Sequence, residues 1–106
     1  MPLTRSFSET IREQLAGKKF RRELLREAVT NLLANDLDTA KALLREYING
    51  TVGFVELGEA LEKSPKSLMR MLSPTGNPHA RNLLEIVAYL QQLEGASFRI
   101  TIAAAA

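Results

Sequence analysis

In this 106-residue sequence the side chains best equipped for chemistry crowd into residues 64–81. Ser64, Pro65, Lys66, Ser67, Met69 and Arg70 come first; Asn77, His79 and Arg81 follow after a stretch rich in Pro and Gly. The planar fork of an arginine matches the paired acceptors on the major-groove edge of guanine, so Arg70 is a candidate for reading a base. Lys66 could serve a base or a phosphate. Ser64, Asn77, His79 and Arg81 suit phosphate oxygens, where contacts set register rather than sequence choice.

Other chemistry has less to build on. With no cysteine and one histidine, His79, the chain lacks the residues for a disulfide, a thiolate nucleophile or a zinc site. The pairs Glu9/Glu13 and Glu59/Glu62 sit at helical spacing and read as surface charge. Gly17-Lys18-Lys19 lacks the spacing of a phosphate-binding loop and reads as a helix cap. No enzyme activity, cofactor or metal is expected. The net charge of +2 permits a nucleic-acid partner without demanding one. Lys18, Lys19, Arg21, Arg22 and Arg26 form a second basic group, expected to be a solvated helix face. The N-terminal stretch MPLTRSFSET lacks the apolar run of a secretory signal, and no stretch is long and apolar enough to span a bilayer, so a cytoplasmic protein is expected.

The elements that must position these residues are helices. Ser6 with Glu9 is a capping-box signature ahead of Phe7, Ile11 and Leu15, and Gly17 is the expected stop. Phe20, Leu24, Ala28 and Leu32 carry a second, longer helix to Asn35. Asp36 or Asp38 caps a third, with Ala40, Leu43, Leu44, Tyr47 and Ile48 in one stripe and a stop at Asn49-Gly50. Tyr47 and Tyr89 are expected in the core with their hydroxyls reaching the surface. Two short helical patterns follow, residues 54–61 and 65–72, separated by Glu62, Lys63 and Ser64. Ser64 is a favourable N-cap, and Pro65 suits the first helical position because its missing N–H would have been unpaired there. Asn77-Pro78 repeats that signal for a last helix through Leu83, Val87 and Leu90 to Gly95. Phe98, Ile100 and Ile102 then alternate with Arg99 and Thr101 as in a strand, which needs a partner.

Two short helices joined by a three- or four-residue turn make a helix-turn-helix when a small residue lets them approach and apolar residues lock both to a core. Gly58 is the small residue; Leu57, Leu61, Leu68 and Met71 are the locks. Lys66, Ser67, Met69 and Arg70 are then left facing outward.

The stretch FVELGEALEKSPKSLMRMLSPTGNPHARNLLEIVAYL resembles the helix-turn-helix of lambda-repressor/Cro-like proteins. With LLREYINGTVGF before it and KSLMRMLSPTGNP within it, the chain more narrowly resembles bacterial addiction-module antidote proteins, or antitoxins, over residues 38–95. The resemblance implies an all-α, five-helix DNA-binding domain that dimerises on a palindromic operator in double-stranded DNA, represses its own operon and neutralises a small RelE/ParE-type toxin. Where the family carries a polar residue early in the first motif helix, this chain has Phe54 and Val55. One helix-turn-helix domain over residues 1–106 is expected: N-terminal helices in 1–35, a DNA-binding core in 36–95 and a tail in 96–106, with a short strand in the tail. The Phe7/Ile11/Leu15 stripe and the strand are both candidates for dimerising the chain or holding a toxin. The alternative function is a helical module that binds protein and has no affinity for DNA.

Overall fold

A computed structural model describes residues 7–105, and all the regular structure among them is α-helical. The helices are α1 (Phe7–Gln14), α2 (Lys18–Leu33), α3 (Leu37–Gly50), α4 (Phe54–Leu61), α5 (Pro65–Met71) and α6 (Ala80–Glu94). The Ser6 cap and the Phe7 and Ile11 side chains lie outside what the structure describes.

From α2 to α6, each helix buries the stripe that its spacing dictates. Leu24, Leu25 and Ala28 of α2 meet Ala40, Leu44, Tyr47 and Ile48 of α3, and α6 adds Leu83, Ile86, Val87 and Leu90. Full burial of such a leucine or isoleucine stabilises by about 1.5–3 kcal/mol relative to exposure. Phe54 and Leu57 of α4, Leu68 of α5 and Leu72 just beyond it complete one continuous core. Leu15 is also buried. A side chain at Gly50 would collide with it, so the bare end of α3 makes room for the α1–α2 turn.

The boundaries follow local chemistry with two exceptions. Asp36 accepts a hydrogen bond from the Thr39 N–H at 3.2 Å, and Gly95 ends α6 with a left-handed φ of +63°. Gly17, expected to stop α1, is instead the N-cap of α2 with an extended backbone. The last helix starts at Ala80 with His79 as its N-cap, two residues later than Asn77 would place it.

The expected strand is absent. Among the described residues, 99–105 have no regular structure and make no hydrogen bond. Alternating side chains favour a strand, but unpaired N–H and C=O groups do not make one, and among the described residues no backbone hydrogen bond joins this segment to another. Only Phe98 is tied down. Its N–H donates to Gln91 Oε1 at 2.8 Å, and its ring packs half-buried against the core.

Candidate nucleic-acid interface

The site is built on α4, α5 and the loop to α6. The α4 helix closes on Glu62, which adopts a left-handed φ of +56°, and the Lys63 N–H returns to the Gly58 carbonyl at 2.9 Å. A Cβ at Gly58 would sit 2.5 Å from the Lys63 carbonyl oxygen, so only glycine lets the turn fold back this tightly. Ser64 then starts α5: its hydroxyl accepts from the Ser67 N–H at 3.1 Å, and Pro65 takes the first helical position. Leu68 and Leu72 are fully buried, and Leu61 and Met71 pack partly buried against the same core.

With those residues turned inward, Lys66, Met69 and Arg70 are exposed and Ser67 is half-buried. Among the described residues neither Lys66 nor Arg70 has an acidic or hydrogen-bonding partner, so both heads are free for an external anion or base edge. Ser67, Arg70, Asn77 and His79 line one open groove of about 450 Å³, together with Thr75 and Asn82. Ser64, Pro65, Lys66, Met69 and Arg81 do not line it. Arg81 is 3.8 Å from Glu85, which also lies 3.7 Å from Lys63, so a carboxylate already attends that cation.

The sequence reading missed Asn82 and Thr75 in the groove and, more consequentially, two side chains outside it that hold the adjoining backbone. Lys41 is almost completely buried, and its ammonium donates to the backbone carbonyls of Gly76 at 2.7 Å and Pro74 at 3.3 Å. Arg45, one turn on, donates to the Leu72 carbonyl. Carbonyls at a helix C-terminus carry partial negative charge, so cations from α3 suit the end of α5 and the loop after it. Gly76 also lies so close to the Arg70 and Met71 carbonyls that a Cβ there would collide with both. A signal for Lys41 exists in the sequence: it interrupts the α3 stripe between Leu37 and Leu44, where an apolar residue would be expected.

A second polar cluster lies in the core. Glu94 is buried at the end of α6 and accepts hydrogen bonds from Tyr47 Oη and Arg21 Nε. Arg22 Nη2 donates to the Glu94 carbonyl at 3.0 Å, and its Nε lies 3.7 Å from the remaining carboxylate oxygen. Burial alone would raise the Glu94 pKa, but the hydrogen bonds from Arg21 and Tyr47 outweigh it and hold the carboxyl below its ordinary range. Burial, and then the bond to Glu94, push the Tyr47 hydroxyl upward. This corrects two expectations. The Tyr47 hydroxyl is internal, and Arg21 and Arg22 are half-buried braces between α2 and α6 rather than fully solvated members of a helix face.

No family model, curated protein or solved structure matches this chain. Among the described residues no helix is long and apolar enough to cross a membrane, and no cluster of metal-ligating side chains occurs.

Proposed function

We propose that this chain is a DNA-binding regulator of the helix-turn-helix type, with α5 as its recognition helix, acting as a two-fold dimer on a palindromic operator. One observation carries the reading. The tight α4–α5 turn at Gly58 leaves Lys66 and Arg70 unpaired on the exposed face of α5, beside a groove that runs on to Asn77 and His79. Arg70 is suited to a guanine edge, Lys66 to a base or phosphate, and Asn77 and His79 to phosphates flanking the same groove. The antitoxin role rests on the sequence resemblance. It would make a small RNA-cleaving toxin the second partner, and the operon encoding both the target of repression.

The test is a titration of the purified protein against DNA from upstream of its own gene, at low and moderate salt, with scrambled DNA as control. Selective binding that weakens steeply as salt rises is the expected result, because each phosphate contact releases counterions. Arg70→Ala should cost about 1–3 kcal/mol and relax preference at one base position, while Lys66→Ala weakens binding to all sequences more evenly if Lys66 holds a phosphate. Equal affinity for scrambled DNA, or an Arg70→Ala protein with unchanged preference, would overturn the assignment in favour of a protein-binding module.

A further inference from the structure

Ile100 and Ile102 are among the most exposed large apolar side chains described, at 76% and 100%, and they lie in a segment with no hydrogen bonds of its own. Beside them an open groove runs between the tail and α2, where Val29 is half-buried and Leu33 is 71% exposed. We infer that residues 98–102 of two copies pair as antiparallel strands across a two-fold axis at Ile100, forming the dimer contact. The inference rests on the two-fold dimer of the preceding reading and gives it an interface.

The occupant is specified by the tail itself. Read in either direction from Ile100, the sequence Phe98-Arg99-Ile100-Thr101-Ile102 keeps the same order of apolar and polar residues. Pairing about Ile100 sets Phe98 opposite Ile102, Ile100 opposite itself and Arg99 opposite Thr101. Every apolar residue then meets a large apolar partner on one face. A two-fold at Arg99 would oppose like charges, and one at Thr101 would leave Phe98 facing Ala104. Slipping the pairing by one residue would put the apolar sets on opposite faces.

The Phe98 anchor fixes which edge is free. Successive N–H groups of a strand point to opposite edges, and the Phe98 N–H is already taken by Gln91. The Arg99 and Thr101 N–H groups therefore point to the open edge, where each can exchange two bonds with its opposite number. Ile100 and its twin then form a non-hydrogen-bonded pair, the type with the closest Cα atoms, roughly 4.5 Å apart. A five-residue pair covers less than the roughly 800 Å² per partner of a standard interface, so the dimer is expected to be reversible.

The chain has no cysteine, so a single Ile100→Cys supplies the only thiol. The expected spacing lies within the range that a disulfide bridges. In mildly oxidising buffer without DNA, full-length Ile100→Cys should cross-link at least ~10-fold faster than Thr101→Cys or Ala105→Cys, because only at the two-fold do the Cα atoms come within bridging range. Ile100→Lys, which opposes like charges at the two-fold, should shift the sedimenting species from dimer to monomer with its helical circular dichroism intact. Equal cross-linking at all three positions, a faster rate at Thr101→Cys, or an unchanged dimer with Ile100→Lys would overturn the inference. Dimers that persist without the tail and bind DNA would leave the functional reading standing. Paired tails on a protein indifferent to DNA would do the reverse.

Discussion

Glu94 is the buried carboxylate among the described residues, and the fold holds its pKa down. Its folded pKa lies below the ordinary value of 4.5, so it contributes stability that is fully present above that value and is lost as pH falls through the folded pKa. Glu94→Gln should therefore cost about 1–3 kcal/mol near neutrality, the range for hydrogen bonds to a charged group. The same substitution should flatten the loss of stability on the acid side, measured as urea midpoints across the acid range. Parallel acid profiles for the two proteins would place the sensitivity elsewhere. None of this cluster was legible in the sequence, because Arg21, Arg22, Tyr47 and Glu94 are joined across as many as 73 positions. A local reading sees Arg21 and Arg22 only as part of a run of charges, and such runs are usually solvated. The outward set on α5 was easier, since helical period turns Leu68 and Met71 inward and so decides where Lys66 and Arg70 must point, although Met71 is only partly buried and Leu72, which the reading passed over, is fully so.

Among the elements, the α4–α5 turn tolerates little change at Gly58. Gly58→Ala would push a methyl group to 2.5 Å from the Lys63 carbonyl, an oxygen of the main chain that cannot rotate away. We expect a loss of about 1–3 kcal/mol, read from thermal or urea melts, in line with overpacking elsewhere. A melt with no loss would mean that the turn can open. The start of α5 was readable because Ser64 and Pro65 act through their own backbone and immediate neighbours. The start of α6 was misread for the opposite reason. Asn77-Pro78 looks like a cap, but the loop is held by a hydrogen bond from Lys41 to Gly76, 35 residues away in sequence. The tail misled differently: alternation describes side chains, whereas a strand also requires a neighbour for its main chain.

At the scale of the whole molecule, α3 ties the loop beside the candidate interface to the core. Lys41→Met keeps most of the packing volume and removes both carbonyl contacts to the loop. The expected result is faster hydrogen exchange across residues 72–78 and a loss of stability of about 1–3 kcal/mol, since buried acceptors are left unmet. Affinity for DNA should fall although no contacting cation is lost. Unchanged exchange in that loop would show that Arg45 suffices alone. The helices up to Gly95 were legible, because stripe spacing sets them; the way they brace one another was not, because the bracing is done by polar groups whose partners are distant in sequence. Within the loop and the end of α5, Lys41 and Arg45 grip main-chain oxygens. A hold of that kind is indifferent to which side chains the loop carries, Gly76 excepted. Thr75 and Asn77 can thus change while the scaffold beneath them keeps its shape; on the proposed reading, recognition of an operator and foldability would then evolve along separate axes.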